Sequence, residues 1–88
     1  MPRVFVPSLM RDLTSRQSSV VVPGLTIGQV IAALEAAYPG TRARICIGDE
    51  INPHLAIVVD GQVSALGLQQ PVRSDSEVHF VPAIHGGQ

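Results

Sequence analysis

The chain has no lysine and no tryptophan, a single cysteine and only three aromatic residues, Phe5, Tyr38 and Phe80. Each shortage excludes something. Without lysine, no internal side chain offers a primary amine for modification. One thiol, Cys46, rules out an internal disulfide framework and a cysteine-based zinc site. With so few rings, the core must be built mainly from aliphatic side chains. The cations are six scattered arginines, and the net charge is -1. That leaves no basic stripe to displace counterions from a nucleic-acid backbone, so nucleic acid is not an expected partner. The start of the chain has no basic segment followed by an apolar run, and no apolar stretch approaches the length of a membrane span. A cytoplasmic protein without a membrane partner is the resulting expectation.

What is present suffices for one small domain. Hydrophobic residues make up 45% of 88 residues, well above the range of disordered chains. Arg3-Val4-Phe5-Val6 reads as a strand with Val4 and Val6 facing inward and Phe5 outward. Leu9 to Leu13 is a connection, Thr14 to Ser19 a polar loop, and Ser18 to Val22 a second strand closed by Pro23-Gly24. Thr26 and Gln29 form a capping-box pattern. After it, Ile27, Val30, Ile31, Leu34, Ala37 and Tyr38 recur at helical spacing until Pro39-Gly40. Gly28 should weaken the first turn by about 1 kcal/mol relative to alanine. Thr41 to His54 has no clear period: Ile45 and Ile47 suit a helical turn or a short strand, and Gly48, Asp49, Asn52 and Pro53 suit a loop. Leu55 to Val59 is a strand, and Asp60-Gly61 is a two-residue hairpin signal leading into Gln62-Val63-Ser64. Gly67 to Pro71 is an irregular link, and Ser74 to Ser76 a turn.

The last stretch organises the rest. In Glu77-Val78-His79-Phe80-Val81 the alternation marks a strand with one buried face, and Pro82, which lacks an amide proton, should end it. Residues 1–82 read as one domain and 83–88 as a tail ending Gly86-Gly87-Gln88. Strand, strand, helix, strand, short strand, strand is an α+β order, with one main helix across a small mixed sheet. The β-grasp of ubiquitin is its natural candidate, with the first and last strands side by side at the centre.

The acidic-Val-x-Phe-x-Pro strand before Gly86-Gly87 resembles the MoaD/ThiS/CysO group of ubiquitin-like sulfur carriers. Val4-Phe5-Val6-Pro7 with Leu9 to Leu13, and the Thr26-to-Tyr38 segment, are similar to the same group. The Ser8-Leu9 region and Glu35-Ala36-Ala37-Tyr38 resemble its CysO-like branch. The resemblance implies a β-grasp protein that is a substrate of other enzymes and not itself an enzyme. A ubiquitin-activating-like enzyme would use ATP and Mg to adenylate the Gly87 carboxylate. Ile84, His85 and Gly86 would thread its channel, where glycine avoids side-chain clashes. A sulfur donor would then leave a thiocarboxylate for a sulfur-accepting synthase of the cysteine, molybdopterin or thiamin type. Here Gly87 is joined to Gln88, so the resemblance requires a JAMM-type metallopeptidase to cut between them. Phe5, Val63 and Val81 would form a partner-docking patch on the sheet face away from the helix. His79 shares that face and reads as a solvated sheet histidine.

Two other uses remain open: a protein modifier joined through Gly87 to lysines of targets, and a non-catalytic interaction domain with an inert tail. No paired carboxylates, Ser-His-Asp set or phosphate loop is present. His54, His79 and His85 match no metal-ligand spacing, so no bound metal or cofactor is expected. Cys46 reads as a buried small hydrophobe.

Overall fold

In the computed structural model, which describes residues 1–83, the chain begins with strand β1 (Arg3–Phe5), followed by a 3-10 turn over Ser8–Met10. Strand β2 (Ser19–Val21) folds back antiparallel on β1, with Val4 opposite Val20. The loop between them is held by Thr14, whose buried hydroxyl donates to the Gln17 carbonyl at 3.1 Å.

Helix α1 (Ile27–Ala37) is capped as its sequence predicts: the Thr26 hydroxyl accepts from the Gln29 amide at 3.2 Å. The Gln29 side chain reaches back one residue further than a standard box, to the Leu25 amide at 2.8 Å. Ile27, Val30, Ile31 and Leu34 are buried, at 1% exposure or less. Ala37, expected on that stripe, is exposed instead, because the helix ends there and Tyr38 leaves helical geometry at φ -135°. Gly28 has a packing reason: a Cβ there would stand 3.2 Å from the Leu68 carbonyl oxygen.

The segment without a clear period holds three elements, α2 (Thr41–Ile45), β3 (Cys46–Ile47) and β4 (Glu50–Ile51). Both readings of its isoleucines apply in part. Ile45 ends the short helix fully buried, whereas Ile47 lies in a hairpin strand and is 60% exposed. The Glu35 carboxylate organises this junction by accepting from the Gly40 and Arg42 amides.

Strand β5 (Leu55–Val59) turns through Asp60-Gly61 into β6 (Gln62–Val63), both turn residues having positive φ as a two-residue hairpin requires. A 3-10 turn at Gly67–Gln69 precedes β7 (Glu77–Pro82). The sheet order is β2-β1-β7-β5-β6, with β1 and β7 parallel and the other pairs antiparallel. β7 is therefore the central strand and stops at Pro82, as expected. Val4 and Val78, paired across the parallel strands, are both fully buried under α1. Burying each such side chain stabilises by about 1.5–3 kcal/mol, so the strand that leads to the tail is anchored in the core.

Candidate functional site

Two features meet at one end of the sheet: the exit of the tail and the face opposite α1. Alternation along β7 puts Val78 and Phe80 in the core and His79 and Val81 on the outer face. Register then fixes a row across all five strands: Ser19, Phe5, His79, Val58 and Val63. In the next row toward the tail, Val81 stands opposite Ala56. Phe5, Val63 and Val81 thus share the expected face, and Val63 is 71% exposed.

His79 is not the solvated histidine expected of a bare sheet. Its ring lies flat on Phe5, with centroids 4.3 Å apart and planes 4° from parallel, and both residues are half-buried. The two rings make one flat plate at the centre of the face. Arg3 lies near the plate, donating to the Ser19 hydroxyl at 3.2 Å, and Glu77 pairs with Arg3 in register. The surface is apolar in the middle and toward the tail, with opposite charges at the far end.

Val58 and Ala56 belong to this face and were missed in the sequence. Leu55 to Val59 is a continuous apolar run, which hides the inner and outer sets from each other. The signal lay in the neighbouring hairpin: closing Asp60-Gly61 as a two-residue turn forces Val58 opposite Val63.

At the exit, the Ala83 amide donates to the His54 carbonyl at 2.9 Å, so pairing with the β5 edge continues past Pro82. Just before His54, Asn52 accepts from the His54 amide through its side chain at 2.9 Å. The residues named for threading, attachment and cleavage, Ile84, His85, Gly86, Gly87 and Gln88, lie outside the described residues.

A second constellation ties β7 to the β5–β6 turn at the opposite end. The Asp60 carboxylate accepts from the Glu77 amide and from the Ser76 hydroxyl, both at 2.9 Å. These bonds, the Glu77 amide first, hold the Asp60 carboxyl below its usual value of 3.8, with Arg73 a weaker contributor. This is a structural clamp and not a general acid. Cys46 is 7% exposed, and burial pushes its thiol above the usual range against a weaker pull from Arg42. Among the described residues no three His, Cys, Asp or Glu side chains gather where one ion could bind them. No helix among them is long and apolar enough to cross a membrane.

The chain has known relatives. The family model of the ThiS family matches residues 4–87. The sulfur carrier protein CysO of Mycobacterium tuberculosis is 30% identical over 96% of both chains. Its crystal structure superposes with a TM-score of 0.88 at 28% identity, over 96% of this chain and all of that one. CysO of Amycolatopsis orientalis, solved in complex with BexX, gives 0.90 at 24% identity, covering 99% and 100% of the two chains. SAMP1 of Haloferax volcanii gives 0.69 at 26% identity over 98% of each.

Proposed function

Since the chain belongs to the ThiS family, we propose that it is a sulfur carrier made as a precursor and activated at Gly87. The family and the β-grasp architecture make it a ubiquitin-like chain of the CysO type. In the proposed sequence, a metallopeptidase of the JAMM type first cuts after Gly87 and releases Gln88. An adenylating partner then joins the freed carboxylate to the α-phosphate of ATP, with Mg, and releases pyrophosphate. A sulfur donor displaces AMP and leaves a thiocarboxylate. A synthase finally takes the sulfur, and the likeness to CysO favours one of the cysteine-forming type.

One observation carries the reading: the family match runs from Val4 through Gly87, and so includes both glycines and stops before Gln88. The geometry supports it. The central strand is locked in the core up to Phe80, and its outer face offers Phe5, Val63 and Val81 beside the exit. A partner seated on that face would hold the tail's origin fixed while Ile84, His85 and Gly86 thread toward its nucleotide. The chain itself would supply no catalytic group; its role is to carry a reactive end.

The intact mass of the protein recovered from its own cells tests this. Loss of Gln88 with one oxygen replaced by sulfur is the expected result. Only chains that keep Gln88, under conditions where the pathway runs, would overturn it.

The likeness to SAMP1, a small archaeal modifier protein, favours a second reading, in which Gly87 is joined to lysines of target proteins. The product separates the two: an isopeptide conjugate instead of a thiocarboxylate.

A further inference from the structure

We infer that this chain is a one-way acyl donor: once Gly87 is activated, neither its own fold nor a second copy can accept the acyl group. The inference rests on the reading of Gly87 as an activated end. An acyl adenylate or thioester is consumed when a nucleophile attacks the Gly87 carbonyl carbon. With an amine, a C–N bond forms, the bond to AMP or thiol breaks, and the amine loses a proton to water. Three groups in a protein commonly do this: a lysine amine, a thiolate and the terminal amine.

Each is withheld here by a separate observation. All six cationic side chains are arginines, whose guanidinium groups stay protonated and do not attack. Most are also engaged. Arg3 donates to the Ser19 hydroxyl, Arg11 to the Val6 carbonyl and Arg42 to the Gly48 carbonyl, and Arg44 forms a two-armed pair with Asp12. The single thiol, Cys46, is enclosed beneath α2 and 7% exposed, and burial disfavours its thiolate. The amine of Met1 donates to the Ser74 carbonyl at 3.0 Å, at the end of the sheet where β7 begins.

The parallel pairing of β1 and β7 decides the intramolecular case. Arg3 stands beside Glu77, which sets Met1 level with residue 75, seven residues before Pro82. At about 3.3 Å per strand residue that separation is roughly 23 Å. The five residues from Ala83 to Gly87 span at most about 18 Å when fully extended. Gly87 therefore falls short of its own terminal amine. A fold that instead set its first and last strands antiparallel would bring the two ends together.

The test uses the chain ending at Gly87, which keeps every described element, with Gly87 made chemically into a thioester. At millimolar concentration and about pH 9, where exposed lysine amines are partly unprotonated, the products are read by intact mass and denaturing gel. Free Nα-acetyl-lysine added to a parallel sample reports that the thioester is reactive. The unaltered sequence should give only the hydrolysed monomer. Arg16→Lys, in the exposed loop at the tail end, and Arg73→Lys, exposed at the far end, should each give at least tenfold more of a two-chain amide product. Two-chain product from the unaltered sequence, or a product one water lighter than the hydrolysed chain, would overturn the inference. So would failure of both lysine variants to form adducts while Nα-acetyl-lysine is captured. Because the thioester is installed chemically, this result stands apart from the mass measurement that decides the carrier reading.

Discussion

The His79 ring rests on Phe5 at a centroid distance of 4.3 Å, joining the two central strands on the face that does not carry α1. Two parallel strands cannot be linked by a short turn, so contacts between their side chains matter to their alignment. The plate also fills the middle of the apolar surface beside the tail exit. One pair of side chains thereby serves both the sheet and the face offered to a partner.

Docking on this face can be separated from folding by choosing residues of different burial. Val63 is 71% exposed, so Val63→Asp should change stability by less than about 0.5 kcal/mol. If the face docks the adenylating partner, the same change should raise the carrier concentration needed for half-maximal AMP formation by about tenfold, or about 1.4 kcal/mol. Phe5→Ala should do both, weakening docking and lowering stability by about 1–2 kcal/mol, since the ring is only half-buried. Thermal unfolding and adenylation assays on the two variants distinguish the effects. Unchanged adenylation by Val63→Asp would remove this edge of the face from the interface.

Two buried threonines should respond in opposite directions to the same substitution. Thr14 and Thr41 are both fully buried. The Thr14 hydroxyl is bonded to the Gln17 carbonyl, whereas the Thr41 hydroxyl has no partner among the described residues. A buried, unpaired hydroxyl costs about 1–3 kcal/mol. Thr41→Val should therefore raise the denaturation midpoint by about 1 kcal/mol equivalent, and Thr14→Val should lower it by a similar amount. Two losses of equal size would mean that the Thr41 hydroxyl is satisfied in solution.

Gly24 is a second place where a single atom decides. A Cβ there would lie 2.8 Å from both the amide nitrogen and a methyl carbon of Val30. The amide belongs to the first turn of α1 and cannot yield without moving the helix. Gly24→Ala should cost about 2–3 kcal/mol by overpacking. Gly28→Ala meets only the Leu68 carbonyl oxygen at 3.2 Å, in a 3-10 turn that can shift. There the clash opposes a gain in helix propensity of about 1 kcal/mol, and the net change should be smaller than at Gly24. Urea denaturation of the two variants ranks them.

Legibility in the sequence followed the strength of local signals. α1 could be read because its cap, its stripe and the Pro39-Gly40 stop agree, and β7 because its alternation ends on a proline. The fold followed from element order together with the family resemblance. The segment from Thr41 to His54 could not be read, because α2, β3 and β4 are each too short to show a period. Its helix is set by non-local terms, the Glu35 carboxylate binding the Gly40 and Arg42 amides and Ile45 filling the core. The docking face was legible at Phe5, Val63 and Val81, but the ring contact of His79 depends on strand register and could not be seen in the sequence.

The Asp60 clamp predicts how stability should vary with acid. Its carboxyl titrates below 3.8 in the folded chain because the Glu77 amide and the Ser76 hydroxyl bind the charged form. A carboxyl depressed by folding contributes stability that is fully present above its unfolded value and is lost as pH falls through the lower, folded value. The contribution should thus be constant at neutral pH and disappear below about pH 4. Asp12, lowered mainly by its hydrogen bond from Arg44, titrates in the same window, so the slope of the unaltered chain reports both. Asp60→Asn isolates one of them. Asparagine tolerates the left-handed backbone at φ 51°, keeps an acceptor for the Glu77 amide and removes only the charge. It should be less stable than the unaltered chain at pH 7, and the two denaturation curves should converge as the pH drops toward 2. Curves that stay parallel from pH 7 to pH 2 would show that Asp60 holds β7 through geometry alone.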